Sequence, residues 1–297
     1  MNGFYKDYAD FLAEHFPGKM QKLAINAGLS CPNRDGTIGH GGCCYCVNSS
    51  FVPRYCHPTD SVTTQIDKGI QFFGKKYPQM RYLGYFQAYT NTNAGLKHLV
   101  DLYDEALNHP MVDGIIIGTR PDCMPQQLLS ILGQWHHSGR WVMIEYGAET
   151  RRDDTLQRIN RCHTWADVVN AVIRTHSAGI PVGLHLIAGL PGETLDDALE
   201  SVDAAISLPI DTIKLHQLQV LRGSKLASDI ATGRESVTQF TLDQYIDLCA
   251  EIVRRTPGHI AIDRFLASAP PAMVISPHWN LKNYQFAHML NRRLSNS

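Results

Sequence analysis

An α/β fold built on a parallel sheet is the reading this sequence predicts, on three observations. Apolar runs of strand length alternate with amphipathic runs of helical spacing along most of the 297 residues. Helix caps and stop signals fall between the two kinds of run. No linker, low-complexity tract or block of like charge breaks the alternation, so a single domain over residues 1–297 is the default. Strand–helix–strand repetition calls for right-handed parallel crossovers, giving a sheet covered by helices, either open or closed into a barrel.

The strand candidates are residues 22–27, 81–88, 113–118, 141–146, 180–188 and 211–220. Between them Val62, Ile66, Ile70 and Phe73 mark one helix, and Leu96, Leu99, Val100, Tyr103 and Leu107 a second. Leu128, Ile131, Leu132 and Trp135 mark a third. Trp165, Val168, Val169, Val172 and Ile173 form one continuous stripe, and Leu195, Ala198, Leu199, Val202 and Ile206 another. Thr164 suits an N-cap, Thr194 with Asp197 has capping-box spacing, and Gly179 stands where a helix ends. The strands are fewer than a closed (β/α)8 barrel requires, so a partial barrel and a doubly wound sheet both fit. In either, functional groups belong at the carboxyl ends of strands. The tail adds a helix (Leu242, Tyr245, Ile246, Cys249, Ile252), a short apolar run at 259–262 and a polar helix, which can close an open side.

Lys plus Arg number 27 and Asp plus Glu 28, so the chain lacks the basic excess of a typical nucleic-acid-binding domain. The N-terminus has no apolar signal-peptide region, and no run of apolar residues is long enough to span a membrane. The expected location is cytoplasmic, where disulfides are rare.

That expectation gives weight to CPNRDGTIGHGGCCYC, Cys31 to Cys46, which holds four of the eight cysteines. A disulfide knot, a structural zinc site and an iron–sulfur cluster compete to explain it. Zinc is usually held by two close pairs of ligands. Here Cys43 and Cys46 make one pair, Cys31 stands alone, and Cys56, His40 and His57 are the remaining nearby donors. Three thiolates on a 4Fe–4S cluster would instead leave one iron open to an outside ligand.

The segment resembles the cluster motif of radical S-adenosylmethionine (radical SAM) enzymes, and more narrowly the YhcC-type branch related to the catalytic subunit of Elongator. Its long first spacing and Tyr45 before the last cysteine carry the likeness. YFQAYTNT (residues 85–92), GTRPDC (118–123), LQRINRCHT (156–164), HLIAGLPGET (185–194) and IKLHQLQVLRGS (213–224) extend it. The resemblance implies a partial (β/α)6 barrel over residues 20–225, with a C-terminal extension, 226–297, closing the open side. It implies Cys31, Cys43 and Cys46 as ligands of a 4Fe–4S cluster, S-adenosylmethionine as cofactor, and an external electron donor of flavodoxin or ferredoxin type. The implied chemistry is reductive cleavage of the cofactor and abstraction of a hydrogen atom from substrate. Kinship with Elongator suggests tRNA as partner, with modification of a wobble uridine.

Residue roles follow from the same likeness. Gln87, Tyr89 and Thr90 end the second strand where the family contacts the methionine amine. Arg120 can clamp a carboxylate or form an ion pair, and Arg161 resembles the arginine that faces the cofactor carboxylate. Glu149 stands where the branch usually has glutamine. Glu145, inside the apolar run WVMIEYG, needs a partner if buried. His185 faces one side of its strand, as a cofactor contact or a satisfied core histidine. Gly189 and Leu190 begin a turn that suits close approach to adenine. Lys214 and His216 share one face of their strand by period two and are assigned to the substrate, with buried ion pairs as the alternative. A non-enzymatic zinc or redox module on an α/β scaffold is the competing function.

Overall fold

The computed structural model describes residues 3–74 and 79–296. In chain order the elements are α1 (Tyr8–Ala13), β1 (Met20–Ile25), α2 (Val62–Gly74), β2 (Arg81–Phe86), α3 (Leu96–Leu107), β3 (Val112–Thr119), α4 (Gln126–His137) and β4 (Trp141–Glu149). There follow α5 (Asp153–Arg158), α6 (Trp165–Ser177), β5 (Val182–Ala188), α7 (Leu195–Ile206), β6 (Thr212–Gln217), β7 (Val220–Leu221) and α8 (Lys225–Ala231). The chain closes with α9 (Leu242–Arg255), β8 (Ala261–Arg264), β9 (Val274–Ser276) and α10 (Asn283–Ser295). Seven strands form one sheet in the order β1-β2-β3-β4-β5-β6-β8, parallel throughout and curled into a half-barrel. The six strands read from sequence are joined by a seventh, β8, from the extension.

Period-two alternation builds two different cores. On β4, Val142, Ile144 and Tyr146 pack outward against the helices in the main apolar core. Trp141 and Met143 point inward, with Leu83 and Tyr85 of β2 and Ile116 of β3. The inner layer is sealed by α1, whose Phe11 and Leu12, with Phe16 just beyond, pack onto it. The Phe16 and Trp141 rings meet edge-on at 5.1 Å. Just before α1, Asp7 bridges Ile262 in parallel, so the N-terminal segment also lines the free edge of β8. None of this was signalled by sequence periodicity: α1 is only six residues long.

Helix ends follow local chemistry. Thr164–Asp167 and Thr194–Asp197 both form capping boxes, and Gly179 adopts φ +72° directly after α6. The last predicted strand, 211–220, ends early at Gln217. There Leu218 N turns to donate to Ala188 O at 2.8 Å, and Val220–Leu221 leave the sheet to pair antiparallel with β9.

Because α1 seals the inner layer, truncating Phe11, only 2% exposed, opens a void there. Phe11→Ala should lower unfolding free energy by about 3–5 kcal/mol, read from urea denaturation. A loss well under 1 kcal/mol would mean α1 is not seated in the barrel.

Candidate functional site

The carboxyl ends of the strands surround a cavity of about 250 Å³. Cys31, Cys43 and Cys46 line one side of it. The loop that carries them joins no strand of the sheet, so local backbone turns and side chains shape it. Asp35 and His40 form an isolated antiparallel bridge, which folds the long stretch between Cys31 and Cys43 back on itself. Asp35 Oδ1 accepts from Thr37 N at 3.0 Å, an Asx turn at its tip. Gly39 lies so close to Asn33 that a Cβ would sit 2.4 Å from its Oδ1. Gly42, at φ +77°, lets the chain turn past Arg34 into Cys43.

The thiols sort into two groups. Cys44 lies outside the cavity lining, in an apolar cluster with Leu156, Ile159, Leu190 and Leu226. Its N–H donates to Ile159 O at 2.9 Å and its carbonyl accepts from Leu226 N at 2.8 Å. Cys56 is buried against β1, its thiol donating to Ala24 O at 2.8 Å, and burial pushes that thiol up to about 12. Among the described residues no three His, Cys, Asp or Glu side chains approach closely enough to hold a single metal ion.

Arg161 connects the thiol loop to the strand ends. It sits between α5 and α6, in a segment bolted to that loop: Asn160 Nδ2 donates to His40 O at 3.1 Å and to Gly42 O at 2.9 Å, and Asn33 Nδ2 donates to Asn160 O. The guanidinium donates to Gly147 O at 2.7 Å, pairs with Glu149 Oε1 at 3.2 Å and reaches Cys43 Sγ at 3.6 Å. Its Nε donates to His163 Nε2 at 3.0 Å. His163 must therefore be neutral and carry its proton on Nδ1, which faces Thr164 O at 3.2 Å. Burial, with Arg161 and Arg120 nearby, pushes this imidazole down to about 3.

Beneath the cavity lies a buried polar hub. Glu145, 1% exposed, accepts from Lys22 at 3.0 Å, Lys214 at 2.6 Å, Tyr85 OH at 2.7 Å and His185 Nε2 at 2.7 Å. Asp263 pairs with the same two lysines at 2.9 and 3.1 Å. Burial pushes Glu145 up, but Lys214, Lys22 and His185 outweigh it and hold the carboxylate well below its ordinary range. Burial likewise opposes the charge on Lys22, and Asp263 and Glu145 more than offset it.

Residues 33–205 match the Radical SAM superfamily, and residues 210–296 match the Radical_SAM C-terminal domain. The chain belongs to the radical SAM superfamily. It is 35% identical over 268 residues to protein YhcC of Escherichia coli (strain K12), covering 90% of this chain and 85% of that one. It is 25% identical over 223 residues to the tRNA uridine(34) acetyltransferase of Dehalococcoides mccartyi, covering 73% of this chain and 47% of that one. Its fold is shared by the archaeal Methanocaldococcus infernus Elp3, with a TM-score of 0.68 at 13% identity, over 95% of this chain and 64% of that chain.

Within this radical SAM fold, Gln87, Tyr89, Thr90, Glu145, Glu149, Arg161 and His185 all line the thiol cavity, as does His216. Lys214 lies in the hub and on a neighbouring cavity, so its ion pairs exist alongside any substrate role. Three residues assigned to the cofactor lie elsewhere. Arg120 is 2% exposed and lies outside the cavity lining; its Nε and Nη2 pair with Asp122 at 2.9 and 2.8 Å, and its buried Nη1 has no hydrogen-bond partner. Leu190 is buried in the apolar cluster with Cys44. Gly189 faces Phe240 from the extension, at a spot where a Cβ would lie 3.1 Å from the ring. Sequence reasoning did not find Lys22, Tyr85 or Asp263. Lys22 and Tyr85 do carry a signal, a polar group on the alternate face of an apolar strand. Arg34, which lines the cavity and donates to Cys46 O at 2.9 Å, was hidden in a loop without periodicity.

Removing the central carboxylate leaves two buried ammonium groups sharing one acid. Glu145→Gln should cost about 3–5 kcal/mol of stability at neutral pH. Since the folded carboxyl is held down, that difference should be full above the unfolded glutamate value of about 4.3 and shrink as pH falls through the folded one. Urea midpoints of both proteins across acid pH check this; a pH-independent gap would contradict it.

Proposed function

We propose that this chain cleaves S-adenosylmethionine reductively at a 4Fe–4S cluster held by Cys31, Cys43 and Cys46, and takes a hydrogen atom from a substrate in the adjoining interior. One observation carries the reading: these three thiols line a single cavity, while Cys44 and Cys56, the nearest alternatives, are turned into apolar packing and a backbone bond. The donors around the thiols fit the group. Arg161 Nη1 and Asn33 Nδ2 lie 3.6 and 3.8 Å from Cys43 Sγ, and such N–H contacts to sulfur tune a cluster's potential. When bound, the cluster supplies the electron for scission and an open iron for the amino and carboxylate groups of the cofactor.

The remaining work falls to the chain's own side chains. Arg161, pinned by Gly147 O and His163, presents a fixed positive charge toward the cavity. Glu149 neutralises part of that charge and keeps an oxygen available for hydroxyl donors. Gln87 and Tyr89 are positioned by Phe51 O and Asn48, which ties the second strand's end to the segment after Cys46. Phe51, Ile187, Leu218 and Leu221 supply apolar wall that excludes water. Electrons come from a separate carrier of flavodoxin or ferredoxin type.

The finer reading, modification of a tRNA wobble uridine, is supported by likeness to the tRNA uridine(34) acetyltransferase. Binding of tRNA should then weaken steeply as salt rises, because phosphate contacts release counterions. Absent or salt-insensitive binding in a filter assay would remove tRNA from consideration.

Anaerobically reconstituted protein should carry about four irons and release 5′-deoxyadenosine from S-adenosylmethionine under a strong reductant. Changing Cys31, Cys43 or Cys46 singly to Ala should abolish both, whereas Cys44→Ala and Cys56→Ala should retain both. Loss of iron in either of the latter, or retention in any of the former, would assign the ligands differently.

A further inference from the structure

We propose that a second cavity, inside the barrel beside the thiol cavity, binds an anionic group of the substrate, a carboxylate or a phosphate, on Arg264, Arg54 and His216. This cavity encloses about 720 Å³ and shares Asn48, Phe51, Tyr85, Gln87, His185 and His216 with the first. A molecule seated in it therefore borders the thiol cavity directly.

Its charges are one-sided. Arg54, Lys214 and Arg264 line it, and no Asp or Glu does. The two carboxylates nearest in the fold, Glu145 and Asp263, lie in the hub and are each held between Lys22 and Lys214, two negative charges against two positive. Arg54 and Arg264 form no ion pair among the described residues, although Arg264 also helps the two lysines hold the Asp263 carboxyl down.

Two polar atoms make the same point. Arg264 Nε and His216 Nε2 are both shielded from solvent, and neither has a hydrogen-bond partner. A buried N–H without an acceptor destabilises the fold unless a ligand supplies one. Burial, together with His185, Arg264 and Lys214, holds His216 neutral, so its ring can donate one N–H without adding charge. A guanidinium fork beside a neutral imidazole suits the paired oxygens of a carboxylate or phosphate. Arg264 ends β8, and Ser268 to Pro271, which wall the cavity, follow it. The extension thus supplies Arg264, the sixth strand supplies His216, and the segment after Cys46 supplies Arg54.

That the anion belongs to the substrate rests on the reading proposed above; that an anion binds there does not. The test uses anaerobically reconstituted protein with S-adenosylmethionine present. Inorganic phosphate and succinate are titrated separately, at millimolar concentration, by isothermal calorimetry. At least one should bind, and which one does names the class. Arg264→Gln and Arg54→Gln should each weaken it by about tenfold or more, the loss of a charge-assisted bond. Arg255→Gln, on the outer helix α9, should leave it unchanged. Circular dichroism of each variant verifies folding, and Arg264→Lys, which keeps the charge and loses the fork, should fall between wild type and Arg264→Gln. No binding of either anion, or binding undiminished in folded Arg264→Gln and Arg54→Gln, overturns the proposal. Release of 5′-deoxyadenosine by the same wild-type preparation is scored separately, so failure of the radical chemistry is distinguished from failure of the anion site.

Discussion

Two buried lysines set the terms for the rest of this structure. Lys22 stands on the first strand of the sheet and Lys214 on the sixth, and both are shared between Glu145 of β4 and Asp263 of β8. With Tyr85 and His185 the network draws on six of the seven strands. A half-barrel has two free edges, and its interior must be bridged by something other than backbone. Lys22–Asp263, at 2.9 Å, joins the first strand to the last. Such a network is a poor source of net stability, since desolvating four charges offsets most of their attraction. Its effect is on uniqueness: a one-residue slip of β6 would turn Lys214 into the outer apolar core and leave two acids short of a cation.

The same geometry separates support from chemistry along the barrel axis. At the amino-terminal ends the interior is apolar and aromatic, sealed by α1, with Tyr8 lying over the Lys22 ammonium at 3.7 Å. Above the hub the walls carry glutamine, threonine, arginine and thiol groups. The hub is the floor between these zones. Tyr85, Glu145 and His185 belong to both the hub and the cavity lining, so the network that fixes strand register also fixes the floor of the cavity. For Glu145 and His185, buried pairing and a place in the cavity lining coexist, so the choice between a structural and a cavity-facing position posed from sequence was too narrow.

What was legible in the chain depended on range. The strands announced themselves by alternation, and the α6 and α7 caps by chemistry three residues apart. Clustering in sequence marked the thiol loop, while the choice of Cys31, Cys43 and Cys46 over Cys44 and Cys56 came from the family resemblance. Glu145 was legible as a problem, a carboxylate in an apolar strand, but its solution was not, because Lys22 lies 123 positions upstream. Arg120 had its ion-pair partner within sight, since Asp122 is two residues away and takes two of its three guanidinium nitrogens. Gly189 and Leu190 were read as ligand-facing from a turn pattern that fits close approach by any neighbour. The neighbour proved to be Phe240, from an extension whose packing no local pattern could report.

The backbone around the cavity carries a further constraint. Of the five non-glycine residues with positive φ among those described, Tyr89, Glu149, Asn160 and Cys162 lie on or beside its rim, at φ 61°, 68°, 57° and 60°. For L-residues this conformation costs roughly 1–2 kcal/mol each, less for asparagine. Each is held by a partner on another element or by a break in the ladder. Tyr89 N donates to Asn48 Oδ1, Asn160 is tied to the thiol loop on both its side chain and carbonyl, and Cys162 Sγ faces Asn33 Oδ1 at 3.2 Å. Glu149 follows a register shift after Gly147, which swings its carboxylate toward Arg161 instead of along the strand. The anchors of three of these strained residues lie between Asn33 and Asn48, and the fourth is gripped by the arginine that reaches Cys43. Rim and thiol loop therefore support each other: the strained residues take their anchors from the loop, and the loop, lacking a ladder, takes much of its position from the rim, with further ties to Leu226 and Asn93.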